Sequence, residues 1–236
     1  MEPAVLADLA ALAEERGWDG FFLWDHIKHL PPVRAVADPW VAMAAIATAT
    51  QRLRIGPMVT PLSRRRIEKL ARETVTLDHL SAGRLTLGVG LGSDRTRELE
   101  EFGEIVDPRQ RARLLDEGLD RLTAYWAGEF EPPPVQKPRI PVWVAGRWPK
   151  RRPLKRAARW DGFFPIDLPG PDALGDLSEE IRALRTDSGH LDIVVEVEAG
   201  SGIAPWEAAG ATWVLTPFES SPRLDEVREA IGAGPG

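Results

Sequence analysis

An α/β fold with a mostly parallel sheet is what this sequence predicts, and three observations carry the prediction. Short apolar runs of strand character alternate with amphipathic helical stretches along the chain, the pattern of βαβ units. Glycine, proline and capping residues mark the joins between them. The length, 236 residues, is close to the ~250 of a typical (β/α) barrel.

The first element reads as a helix. Pro3 suits a first turn, Val5, Leu6, Leu9, Leu12 and Ala13 recur at helical spacing, and Gly17 supplies a stop. Trp18-Asp19-Gly20 turns the chain into Phe21-Phe22-Leu23-Trp24, a buried-strand run, and Asp25-His26 follow it directly. Asp38-Pro39 starts the next helix as cap and first residue, and an Ala-rich stretch continues it to Thr50. Residues 54–60 read as a strand, closed by Pro61. Ile67, Leu70, Ala71, Thr74, Leu77 and Leu80 outline a helix that Ser81-Ala82-Gly83 ends. A strand over 85–89 runs into Gly88, Gly90 and Gly92, and residues 109–126 form a long amphipathic helix stopped at Gly128.

After a proline-rich connection over 131–139, strands are predicted at 141–145, 162–166, 193–197 and 212–216. Helices are expected at 150–159, 172–184 and 205–209, with a last one over 222–231 capped by Ser221. That makes seven strands and eight helical segments, and the chain opens on a helix where a closed eight-stranded barrel opens on a strand. The expectation is a (β/α) barrel lacking or truncated at its first strand, forming one domain over residues 1–236. A misplaced start, a deletion and a different closure are all consistent with that pattern.

Composition narrows the function. A hydrophobic share of 43% with 28% charged residues belongs to an ordinary globular chain. A net charge of −6 argues against general nucleic-acid affinity. The absence of cysteine removes disulfides, thiolate metal sites and a cysteine nucleophile. No apolar run reaches the ~20 residues of a membrane span, and Met1-Glu2-Pro3 is unlike a signal peptide, so a cytoplasmic location is expected. No His-Glu-x-x-His, EF-hand loop or Gly-x-Ser-x-Gly elbow is present, so no metal site is expected.

In (β/α) barrels reactive groups gather at the C-terminal ends of strands. That rule selects Trp24-Asp25-His26, Met58-Val59-Thr60, Gly90-Leu91-Gly92-Ser93 and Ala145-Gly146-Arg147. His26 is the candidate catalytic residue, because imidazole exchanges protons near neutrality and Asp25 beside it can orient it or bind a ligand. The plainer reading is a strand-end pair that caps the next helix; the strand-end placement favours function. Gly88, Gly90 and Gly92 allow close approach of backbone to a ligand, or equally a tight turn, and they do not match a dinucleotide fingerprint. Gly146 and Arg147 are a second candidate anion site, and the basic run from Arg147 to Arg159 is either a polyanion site or a solvated face. His79 sits on a helix and reads as structural.

Several ordered segments together resemble the luciferase-like monooxygenase superfamily. They are Gly17-Trp18-Asp19-Gly20 with Trp24-Asp25-His26, Asp38-Pro39-Trp40, and the run from Arg54 to Pro61. Most telling is the run from Thr76 to Leu85 followed by Gly88-Val89-Gly90-Leu91-Gly92. Pro133-Pro134-Val135-Gln136, the run from Pro141 to Gly146, and Asp161-Gly162-Phe163-Phe164-Pro165 continue it. The resemblance implies a TIM-like barrel that binds FMN or the deazaflavin F420 and that transfers hydride to or from a small-molecule substrate. The Trp24-Asp25-His26 strand end and the Ala-, Gly-, Arg- and Pro-rich composition of a GC-rich genome slightly favour F420. It also implies a homodimer. On this resemblance Asp25 and Thr60 contact the cofactor, Met58-Val59 form the bulge under its ring where the family often has a non-proline cis peptide, and Leu91, Gly92, Ser93, Ala145, Gly146 and Arg147 lie near ring or phosphate. His26 matches an acid/base histidine of deazaflavin-dependent sugar-phosphate dehydrogenases. Some of those enzymes carry an acidic residue where this chain has Ser93, which leaves the acid/base pair incomplete. Shortened connections argue for reversible hydride transfer over oxygen chemistry, which needs a drier site. The alternative is a degenerate, non-catalytic barrel that binds flavin or serves as an accessory protein.

Overall fold

The computed structural model describes residues 1–186 and 189–235. They form two compact units, residues 1–140 with 220–235 and residues 141–219.

The first unit opens on α1 (Pro3–Glu15), which buries Ala7, Leu9, Ala10 and Ala13. Gly17 ends it at φ +87°, backbone that favours glycine. Strand β1 (Gly20–Leu23) pairs in parallel with β2 (Arg54–Pro57), Phe21 lying opposite Ile55. Between them runs α2 (Pro39–Ala49), capped as expected by Asp38, whose carboxylate accepts from the Val41 N–H. Then come β3 (Thr60–Pro61), a 3-10 turn (Leu62–Arg64), α3 (Ile67–Leu80) and β4 (Leu87–Gly90). A short helix α4 (Glu98–Glu101) precedes the long α5 (Pro108–Ala124). The C-terminal helix Leu224–Ala233 belongs to this unit and is tied to it by Trp18, whose indole N–H donates to the Ile231 carbonyl at 3.0 Å.

The strand expected over 54–60 is broken. β2 stops at Pro57, the Met58–Val59 peptide is cis, and β3 has only two residues. Pro57 and Pro61 deny the ladder two donors, which is why one continuous strand does not form. The split makes eight strands among the described residues where seven were expected. α5 ends at Ala124 and passes into a π turn (Tyr125–Glu129) instead of reaching Trp126 as α-helix. The last helix begins at Leu224, with Arg223 as its cap in place of Ser221.

Close backbone approach governs the packing of this unit. A Cβ on Gly56 would sit 2.0 Å from the Thr86 carbonyl oxygen, and one on Gly88 would sit 2.2 Å from that of Pro57. β2 and β4 are therefore nearer than any side chain allows. Two polar clips, one half-buried and one buried, frame them. The Arg84 guanidinium donates to the carbonyls of Ala47, Thr50, Leu53 and Ser81, closing the C-terminal end of α2. The Asp78 carboxylate accepts from the Val135 and Gln136 backbone and from the Gln136 side chain, which pins the proline-rich segment to α3. His79 joins that clip through the Pro133 carbonyl at 2.8 Å, a structural role as expected.

The second unit is a parallel sheet in chain order. Its strands are β5 (Val142–Arg147), β6 (Gly162–Ile166), β7 (Asp192–Glu196) and β8 (Trp213–Leu215). Helices α6 (Arg152–Ala157), α7 (Pro171–Leu184) and α8 (Ala204–Ala208) connect them. Buried Trp143 lies over Gly162, where a Cβ would meet its ring at 2.3 Å, and its indole N–H donates to Asp192 at 3.0 Å. Among the described residues no helix is long and apolar enough to cross a membrane.

Two alanine substitutions check this packing in denaturant unfolding. Gly56→Ala is expected to destabilise by roughly 1–3 kcal/mol through overpacking. Gly175→Ala, inside α7 with nothing within 4 Å of its Cβ position, should stabilise by roughly 0.5–1 kcal/mol through helix propensity. Equal effects at both sites would contradict the close approach of β2 and β4.

Candidate functional site

Where β1 ends, the chain places Trp24, Asp25 and His26 in succession. Asp25 is 3% exposed and its carboxylate is fully engaged. Oδ2 accepts from the Thr60 hydroxyl at 2.8 Å and from the Trp40 indole at 3.4 Å. Arg64 Nη2 donates to Oδ1 at 2.8 Å and to the Asp25 carbonyl at 2.6 Å, while Arg65 Nη2 reaches both oxygens at 2.7 and 2.5 Å. One carboxylate thus joins the end of β1, the first turn of α2, the start of β3 and the turn after it.

His26 points to a different partner. Its Nδ1 lies 2.6 Å from Oε1 of Glu98, at the start of α4, and the Glu98 side chain is 2% exposed. Oε2 of Glu98 accepts from the Ile27 N–H at 2.9 Å and forms an ion pair with Arg64 Nη1 at 3.0 Å. Burial by itself pushes the Glu98 carboxyl up. The hydrogen bonds from His26 and the Ile27 backbone, with the charges of His26 and Arg64, outweigh it and hold the group at about 2. An ionised Glu98 accepts only, so His26 carries its proton on Nδ1 and presents Nε2 for proton exchange. The His26 side chain is 26% exposed and packs edge-on against the rings of Trp24 and His29, at 5.0 and 5.4 Å.

The other residues singled out from sequence fall into three groups. Met58 and Val59 lie half-buried between β2 and β3, immediately before Thr60, and the cis peptide expected there is present. Leu91 and Gly92 follow β4, their carbonyls each 2.9 Å from Nη1 of buried Arg111, while the Ser93 hydroxyl accepts from the Arg95 N–H at 3.3 Å. Gly92 has φ +71°, and a Cβ there would stand 3.0 Å from Pro61, so this glycine is needed for a tight turn. Ala145, Gly146 and Arg147 end β5 in the second unit. Gly146 is a packing glycine, its Cβ position 2.4 Å from Pro153, and Arg147 is ion-paired with Asp167.

Sequence reasoning missed Glu98, Arg64 and Arg65. Glu98 lies in an acidic run with Glu100 and Glu101 that reads as a solvated face, and nothing local separates the buried member from its exposed neighbours. Arg64 and Arg65 sit in an Arg64-Arg65-Arg66 run with the same ambiguity. Their one signal is position, directly after the strand end that carries Thr60. Among the described residues no group of His, Asp and Glu could hold a metal ion.

Glu98 makes an acid-stability prediction. Its folded value lies below its ordinary 4.5, so the stability it adds is complete above about 4.5 and is lost as pH falls towards about 2. Glu98→Gln should flatten that part of the stability-against-pH curve, measured by urea melts from neutral pH downward. Parallel curves for both proteins would contradict the ionised, buried carboxylate.

Known proteins supply the context for this geometry. A model of the luciferase-like monooxygenase family matches residues 1–202. A Mycobacterium tuberculosis protein without an assigned role is 31% identical over 246 residues, covering 89% of this chain and 85% of its own. Among solved structures, the coenzyme F420-dependent tetrahydromethanopterin reductase from Methanopyrus kandleri superposes with a TM-score of 0.77 at 17% identity, over 98% of this chain and 94% of its own. The FMN-bound oxygenating component of a Pseudomonas putida diketocamphane monooxygenase gives 0.67 at 18% identity, over 82% of this chain and 60% of its own. The two structures show the fold, α/β with parallel sheets of the TIM-like (β/α) barrel type.

Proposed function

The chain belongs to the luciferase-like monooxygenase family, and from that premise we propose that it is an F420- or FMN-dependent oxidoreductase in which His26 exchanges the substrate proton. The observation that carries the reading is the His26–Glu98 pair at the end of β1. A buried, ionised carboxylate on Nδ1 fixes the ring and its tautomer and leaves Nε2 to work as base or acid.

The residues at the strand ends suit a flat, conjugated cofactor. Met58 and Val59 form a half-buried main-chain bulge lying in neither flanking strand, a surface on which such a ring can rest. Thr60 donates to Asp25, and Asp25 is held in turn by Arg64 and Arg65, so the residues on either side of this bulge are tied to the end of β1. When bound, F420 or FMN supplies the hydride-accepting or hydride-donating centre. In the oxidising direction Nε2 of His26 would take the O–H proton of an alcohol substrate as its C–H hydride leaves to the bound cofactor, giving a carbonyl. In the reducing direction His26 returns that proton to the carbonyl oxygen. F420 is the first choice of cofactor, supported by the extent of the likeness to the F420-dependent reductase.

Fluorescence titrations with F420 and with FMN, each followed separately, test the reading. Saturable binding of F420 at micromolar concentration is expected. His26→Ala should retain that binding yet lower turnover by roughly 10²–10⁴-fold, the usual contribution of a positioned acid/base. Tighter binding of FMN would reassign the cofactor. Binding of neither would overturn the proposal and leave a non-catalytic barrel.

A further inference from the structure

We propose that Arg64 is a positioning residue that sets the base strength of His26, by taking the second oxygen of Glu98 while anchored on Asp25. The inference deepens the reading of His26 as the proton-exchanging group and rests on it for its functional consequence.

The groups form a continuous line of alternating charge. Asp25 Oδ1 to Arg64 Nη2 is 2.8 Å, Arg64 Nη1 to Glu98 Oε2 is 3.0 Å, and Glu98 Oε1 to His26 Nδ1 is 2.6 Å. Arg64 is as buried as the carboxylates it joins, its side chain 2% exposed against 1% for Asp25 and 2% for Glu98. The contact with Glu98 is an ion pair and not an aligned hydrogen bond, because Nη1 and Nε lack a hydrogen-bond partner. Arg64 therefore acts on Glu98 mainly as a charge, in a setting where charge is weakly screened.

That placement has a definite sign. A lone buried carboxylate against Nδ1 makes the imidazole a strong base that holds its proton. With Arg64 on the other oxygen, part of that field is cancelled, and His26 returns its proton more readily. The remaining groups around His26 are its own neighbours Asp25, Lys28 and His29, Glu101 on α4, and Arg65 beyond the turn. Lys28 is paired with Glu101, and Arg65 with Asp25. The local sum is two carboxylates, Asp25 and Glu98, against two guanidiniums, so a neutral His26 leaves the cluster uncharged. Arg65 neighbours Arg64 in sequence and shares Asp25 with it, but its ion pair is with Asp25 and not Glu98. This difference separates a specific effect from a general loss of positive charge.

The experiment follows the His26 imidazole by NMR across a pH titration of the cofactor-free protein, with His26→Gln assigning its signal among the four histidines. Arg64→Met is expected to raise the His26 midpoint by about one pH unit, a tenfold change in proton affinity. Arg65→Met should move it by less than about 0.3 unit, roughly twofold. Arg64→Lys, which keeps the charge but cannot span Asp25 and Glu98 together, should give an intermediate rise. The acid limb of kcat/KM for substrate oxidation should move upward with the midpoint. An unchanged midpoint in Arg64→Met, or equal shifts in Arg64→Met and Arg65→Met, overturns the proposal. Should circular dichroism show Arg64→Met unfolded, Arg64→Lys decides by the same criterion: a rise supports the proposal and an unmoved midpoint overturns it. The titration needs neither cofactor nor substrate. Failure there concerns Arg64, whereas a normal titration with no cofactor binding concerns the proposed reaction.

Discussion

Burying the Asp25 carboxylate at a strand end carries a desolvation cost of several kcal/mol, to be met by partners with good geometry. Arg64, Arg65, Thr60 and Trp40 all converge on it, from the first turn of α2, the start of β3 and the turn that follows. Removing any one partner would leave charge or polarity uncompensated in the interior, so the cluster couples the positions of α2, β1, β3 and the turn that follows. The same cluster determines where Arg64 can reach, and through Arg64 it determines how Glu98 meets His26. Structural order and proton chemistry in this region thus share one electrostatic network.

Around this network close main-chain contact fixes how β2 and β4 meet. Gly56 and Gly88 bring β2 against β4 at distances no other residue tolerates, and Gly92 folds the following turn against Pro61. Arg84 and Asp78 then satisfy the carbonyls and amides that such close, irregular connections leave open. Several of the motifs that most strongly resemble the family, including the run from Thr76 to Leu85 and Pro133-Pro134-Val135-Gln136, serve this framing role. Their function is to place the strand ends, and they touch the candidate site only through that placement.

Much of the fold was legible in the sequence because its signals are local. Asp38-Pro39 announced the start of α2, Gly17 the end of α1, and the strand over 162–166 matched residue for residue. Errors arose where periodicity is blind. A run such as 54–60 reads as one strand on hydrophobicity, and only the arrangement of Pro57, the cis peptide and Pro61 divides it. α4 is four residues long and has too few turns to display a period. The site was half legible. Asp25, His26 and Thr60 stood out by their position after strands, whereas Ser93 drew the search for a carboxylate partner that Glu98, five residues on, supplies.

What the sequence alone determined is the parallel α/β arrangement, the caps and turns that delimit its elements, and the strand ends at which chemistry can gather. These depend on dihedral preference, hydrophobic period and capping, which act over a few residues. Which charges are buried and which are solvated was decided only by tertiary structure. Glu98 and Arg64 are chemically the same as their exposed neighbours Glu100 and Arg66, and they differ only in what the folded chain brings against them. Burial raises the strength of every charge–charge contact and forces each group to find a partner, so the acid/base pair exists as a property of the fold and not of any segment.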